Sequence, residues 1–242
     1  SYYNMALPKL NESIKYTTKI PSTGKQVNFR PYLVKEEKIL LIAMESEDKK
    51  SALDAISNTI QACVDEDINV YNLPVFDIEY LFTQIRSKSV GEVSTINISC
   101  SECKKQSEVS IDLSKIKVNV PKTIKSIKLA DDMTLKLKYP VLAEVTDTMI
   151  DNENNNVSQT QQIFDLLAIC LDSLETAEEQ ISFADEPKEE VMAFLESFNN
   201  KQFEQVRKFV EDLPQMKHDV KFKCESCEHD NEVTLKGTSD FF

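Results

Sequence analysis

Four of the six cysteines in this 242-residue chain occur as two Cys-x-x-Cys pairs, Cys100/Cys103 and Cys224/Cys227. Two cysteines set two residues apart in a tight turn aim both sulfurs at one point, and the N–H groups of that turn can hydrogen-bond to the thiolates. One such turn supplies two ligands, whereas a closed tetrahedral structural site takes four. The two pairs are therefore expected to meet and complete each other around one Zn²⁺, because thiolate-rich tetrahedral ligation favours zinc over harder ions. With Cys100, Cys103, Cys224 and Cys227 all ligating, no open position remains for water or substrate, so the expected role of the metal is structural.

Other chemistries of the same residues are weaker. Redox Cys-x-x-Cys pairs sit at a helix N-terminus, where the dipole lowers a thiol pKa, but both pairs here lie between strand-like segments. An iron–sulfur cluster would need an equally specific cage, and a packed, metal-free remnant of a lost site is a further alternative. His229 would replace a thiolate only if one turn were misaligned. Cys63 and Cys170 each fall on the apolar face of a predicted helix and are expected to pack in the core.

The surroundings of the pairs repeat. Asn97-Ile98-Ser99-Cys100-Ser101-Glu102-Cys103 and Lys221-Phe222-Lys223-Cys224-Glu225-Ser226-Cys227 align without a gap at an offset of 124 residues, and the alignment continues from Glu108-Val109-Ser110-Ile111 to Glu232-Val233-Thr234-Leu235. Both copies read as strand, Cys turn, polar tip, strand: two zinc knuckles forming a split ribbon. Closing so long a loop costs little more entropy than closing a short one, since the cost grows logarithmically with length.

The turns need a scaffold, and the remaining pattern supplies it. Ser13 to Ile20 and Lys25 to Tyr32 alternate around Pro21-Ser22-Thr23-Gly24, which predicts a β-hairpin. Val34 to Glu45 carries a helical stripe of Ile39, Leu40, Ala43 and Met44. A second helix is predicted over about Lys49 to Cys63, capped by Ser51 or favoured at its N-terminus by the acidic Ser46-Glu47-Asp48, and a third after Pro74 to about Lys88. Ile124 to Leu129 and Met133 to Lys138 alternate around Ala130-Asp131-Asp132, a second hairpin. Polar Asp151 to Asn156 reads as a mobile loop. Further helices are predicted over Ser158 to Thr176, from Pro187 through Phe198, and through Phe203 and Val210 to the residues before Pro214. The expected fold is α+β, mostly antiparallel strands with a split four-cysteine zinc ribbon, flanked by N-terminal (34–86) and C-terminal (158–213) helical groups. The segments are 1–92, hairpin plus helices; 93–140, first knuckle and hairpins; 141–214, a helical insert; and 215–242, the second knuckle, completing the ribbon with 93–113.

The formal charge of −13 repels phosphate backbones. With three glycines, and neither a GxGxxG nor a Walker loop, nucleotide binding by those routes is excluded. Neither HExxH nor GxSxG is present, so no enzyme and no small-molecule substrate are expected. No apolar run approaches the ~18 residues needed to span a bilayer; no membrane insertion is expected. Ser1-Tyr2-Tyr3-Asn4 resembles no secretory leader, so a reducing cytoplasm is the expected setting, where cysteines do not form lasting disulfides.

Phe29-Arg30-Pro31-Tyr32-Leu33-Val34-Lys35-Glu36-Glu37-Lys38, then Asp77-Ile78-Glu79-Tyr80-Leu81-Phe82 and Ile85-Arg86-Ser87-Lys88-Ser89-Val90-Gly91-Glu92, then the Cys100 knuckle, follow one another in an order that resembles the baseplate hub assembly protein family of T-even-type contractile-tailed bacteriophages. The resemblance is clear over about residues 8–113 and returns at the second knuckle. It implies a structural or assembly component of the tail baseplate, in its hub region. The implied partners are other phage baseplate or hub proteins, met in the host cytoplasm during assembly and in the virion tail. It transfers the knuckle cysteines and no catalytic residue. The alternative is a zinc-ribbon module that recognises nucleic acid or a transcription partner. Lys104-Lys105 favours that reading, whereas the acidic second tip, Glu225, Glu228 and Asp230, opposes it. The aromatic termini, Tyr2-Tyr3 and Phe241-Phe242, are candidate docking elements.

Overall fold

The residues alternating around Pro21-Ser22-Thr23-Gly24 form the expected hairpin in a computed structural model, which describes Leu10, residues 14–124 and residues 126–237. The aromatic termini lie outside the described residues. Strands β1 (Tyr16–Lys19) and β2 (Gln26–Phe29) pair antiparallel. Gly24 closes their turn at φ 68°, a left-handed conformation that costs least without a Cβ. Ile20, Val27 and Phe29 point inward.

Helices α1 (Val34–Glu45), α2 (Lys49–Cys63) and α3 (Val75–Val90) follow close to their predicted bounds. Asp48 caps α2, its carboxylate accepting the N–H groups of Lys50 and Ser51. The expected inward stripe of α1 needs correction. Leu40 and Glu36 are buried, while Ile39 and Met44 are exposed. The rotation follows from the helix start, where the Glu36 carboxylate turns inward to take both the Leu33 N–H and the Arg30 guanidinium.

Strands β3 (Val93–Ser99) and β4 (Gln106–Asp112) form the first Cys hairpin, and β5 (Lys117–Val118) follows. Next come β6 (Ile127–Ala130), β7 (Met133–Leu137), α4 (Leu142–Asn154), α5 (Gln159–Ala168), β8 (Leu171–Glu175), β9 (Gln180–Ser182), α6 (Lys188–Glu196) and α7 (Asn200–Glu211). The chain then returns through β10 (Met216–Lys223) and β11 (Asp230–Lys236) as the second Cys hairpin. All pairings between the described strands are antiparallel.

Two expectations in the middle of the chain are overturned. The polar stretch from Asp151 belongs largely to α4, which the Glu144 carboxylate starts by accepting the Val141 N–H. The helix predicted over Ser158 to Thr176 stops at Ala168, and Leu171–Glu175 instead forms β8 between β7 and β9. Its apolar residues fit a helical stripe as well as a strand. What decides is that β7 presents an open edge, and pairing there buries Leu171, Ser173 and Leu174. The C-terminal helical stretch therefore contains two strands.

The chain divides into two compact units, which group the sequence segments differently from the four read above. One comprises the chain up to Val70, Phe76–Val118, and the chain from Met216. The other comprises Tyr71–Val75 and Asn119–Gln215. In the first, the inward residues of both Cys hairpins share a core of Ile98, Ile111, Leu113, Ile116, Met216, Val220 and Leu235. In the second, α5, α6 and α7 contribute Leu167, Val191, Leu195 and Val206 to a core with Ile127, Leu135, Leu137 and Leu171 of the four-stranded sheet.

Candidate metal centre

The two Cys hairpins are built alike to the level of register. Ser99 pairs with Gln106 across the first tip and Lys223 with Asp230 across the second, positions related by the same offset of 124 residues. Alternation fixes this: one face of β3 and β4 carries Ile96, Ile98, Val109 and Ile111, and a slip of one residue would turn these to water. At each tip the N–H of the first cysteine donates to a carbonyl five residues on, Cys100 to Lys105 and Cys224 to His229, both at 2.9 Å. The return bonds run from Lys104 N–H to Cys100 O and from Glu228 N–H to Cys224 O. Lys104 and Glu228 occupy equivalent positions at φ 62° and 58°. Each directly follows the second cysteine of its pair, so the left-handed step lies where the chain turns back toward its return strand.

The turns hold the first sulfur of each pair by backbone donors. Cys103 and Glu102 N–H groups point at Cys100 Sγ and, together with Asn231, draw its pKa down to about 6. The N–H groups of Cys227 and Ser226 likewise lower that of Cys224. Cys227 behaves oppositely: although the His229 N–H favours its thiolate, loss of some solvation among the neighbouring atoms and hydrogen bonding to the three facing sulfurs push it up to about 12. Four thiols held this close cannot all ionise unless a cation shares them.

The four sulfurs lie within 4.8 Å of one another. Two of these contacts join one turn to the other, Cys100 Sγ to Cys227 Sγ at 3.7 Å and Cys103 Sγ to Cys224 Sγ at 3.6 Å. A zinc–sulfur bond of ~2.3 Å gives a regular tetrahedron of sulfurs an edge of ~3.8 Å, whereas a disulfide would need ~2.05 Å. The spacing therefore suits a shared tetrahedral ion. Cys100 and Cys224 are buried, Cys103 is partly covered and Cys227 is exposed. Among the described residues this is the group of Cys, His and acidic ligand atoms close enough to hold a metal. His229 takes part through its carbonyl. Cys63 and Cys170 stand apart in the core, where burial pushes their thiols up to about 11 and about 12.

Sequence reasoning missed Asn231. Its amide donates to Cys100 Sγ at 3.4 Å and to His229 O at 3.1 Å, and its Oδ1 accepts the Ser101 N–H and hydroxyl at 2.9 and 3.0 Å. It thus reaches from the second turn to the first. The available signal was a polar residue on the inward face of an alternating strand. Its equivalent at the offset, Ser107, is also buried, and the Ser107 Oγ has no hydrogen-bond partner.

None of the described helices is long and apolar enough to cross a membrane. No curated protein and no solved structure matches the chain. The family described as T4 bacteriophage base plate protein matches residues 13–242. That match spans both Cys hairpins and everything between them, and this chain accordingly belongs to the T4 bacteriophage base plate protein family.

Proposed function

We propose that this protein is a structural or assembly component of the hub region of a contractile-tail baseplate, and that Cys100, Cys103, Cys224 and Cys227 hold one structural zinc. Family membership over residues 13–242 supports the baseplate role, and the order of the segments from Phe29 to Glu92 supports the hub within it. Four sulfurs at tetrahedral spacing, on two turns with matching hydrogen bonds, support the metal. Zinc would supply positive charge to a cage whose own thiols repel one another once ionised. Cys100 and Cys224, held by N–H donors, would bind as thiolates, and Cys103 and Cys227 would complete the set with loss of their protons. The role is architectural: four protein ligands leave no place for a reacting group, and an assembly component acts through its surfaces. The partners are other baseplate or hub proteins, met in the host cytoplasm during assembly.

Elemental analysis of the purified chain is expected to find one zinc per molecule; a metal-free folded protein refutes the metal. The double variant C224S/C227S is expected to lose the zinc and to lower the stability of the unit holding both hairpins, seen as an earlier thermal transition. Affinity purification of the tagged chain from infected cells is expected to recover hub proteins by mass spectrometry. Recovery of peripheral baseplate proteins alone removes the hub assignment.

A further inference from the structure

Helix α1 turns an apolar face to solvent. Val34 is 78% exposed, Leu41 55% and Ile42 56%. At 100° per residue Val34, Lys38, Leu41 and Glu45 fall within about 60° of one another, Ile42 lies about 80° round from Val34, and the buried Glu36 and Leu40 lie on the far side. No described element covers that face. Exposed apolar side chains grouped on one face mark an interaction surface.

The charges on the face indicate what covers it. On the face itself Lys38 lies in the first half of the helix and Glu45 is its last residue. A two-fold axis passing between Leu41 and Ile42 would set a second α1 antiparallel on the first. That axis places Lys38 opposite Glu45 of the second copy and Leu41 opposite its Ile42. Each pairing occurs twice, as an isologous interface requires. A parallel arrangement would instead set lysine against lysine and glutamate against glutamate. Among the described residues, Lys38 and Glu45 are not engaged in ion pairs, so both remain available for such a contact. We infer that the outward face of α1 is a self-complementary surface through which two copies of this chain pair antiparallel. Complementary charge fixes the register, and the apolar face is removed from water. One face of a 12-residue helix is small for a protein–protein interface, so the association is expected to depend on concentration.

Sedimentation equilibrium of the full chain over a concentration series tests this. The wild-type chain is expected to move from one chain mass toward two. K38E and E45K alone should each weaken self-association by about tenfold or more, because each sets like charges opposite one another twice. Mixing K38E with E45K should restore a dimer, now a heterodimer, and the double variant K38E/E45K should pair with itself again. L41D should abolish pairing in every combination. These positions are exposed, so circular dichroism is expected to show the fold unchanged. A chain that stays monomeric throughout overturns the inference and leaves the face to a different baseplate protein. A dimer indifferent to the charge reversals overturns it equally.

Discussion

Asn231 makes four hydrogen bonds, three of which cross from the second Cys turn to the first. It gathers the two halves of the cage independently of any ion and orients the Cys100 sulfur within it. Partners behind a metal ligand typically govern metal affinity by ~10–100-fold. N231A is therefore expected to speed zinc release to a chelator by about that factor, while circular dichroism stays unchanged; equal release rates would show the amide to be incidental. N231D should release metal faster still, since its carboxylate would face the Cys100 thiolate. The cysteines themselves were legible in the sequence because their type and spacing admit few chemistries. Asn231 was not, since one amide on a strand announces nothing until its partner Ser101, 130 residues earlier in the chain, is placed beside it.

Among the elements, α1 depends on its first turn. Glu36 is buried; burial works to raise its pKa, but the Arg30 hydrogen bond and the Leu33 N–H outweigh it and hold the carboxyl below the usual glutamate value. A carboxyl with a lowered folded-state pKa binds fewer protons folded than unfolded above that pKa. Its contribution is thus complete above the ordinary value of 4.5 and is lost as pH falls through the folded one. E36A is expected to destabilise the chain by ~3–5 kcal/mol at neutral pH, the usual loss on breaking a buried ion pair, and E36Q to flatten the acid limb of a stability–pH profile. An unaltered profile would place the acid sensitivity elsewhere. The same helix shows where local pattern is silent. Its bounds follow from periodicity, but which line faces inward was settled by a buried carboxylate. Strand β8 was hidden for a related reason: the run from Ile163 to Leu174 satisfies a helical period, and only the open edge of β7 distinguishes the outcome. Helix α4 was obscured by the asparagines near its end, although Glu144, three residues after Val141, is a usable start signal.

At the scale of the whole molecule, the unit holding the cysteines is interrupted briefly by Tyr71–Val75 and at length by Asn119–Gln215. The two ends of the longer interruption lie side by side, because Val118 pairs with Met216 between β5 and β10. Removing 119–215 and joining the ends by a short Gly/Ser turn is therefore expected to leave a chain that still binds one zinc and melts cooperatively. Loss of zinc from that shortened chain would mean that the insert is needed to hold the hairpins together. That two distant halves meet was readable from the repeat, because neither turn can close a site alone. Where the insert begins was not, since the second hairpin of 93–140 has the same alternating pattern as the first yet packs with α5 and α6. The 124-residue offset also has a consequence in time. At a synthesis rate of roughly 5–20 residues per second, the turn bearing Cys100 and Cys103 waits ~6–25 s for its counterpart to be made. On a crowded polysome the first turn of one nascent chain can meet the second turn of another, so faithful production of this protein depends on neighbouring ribosomes not exchanging halves.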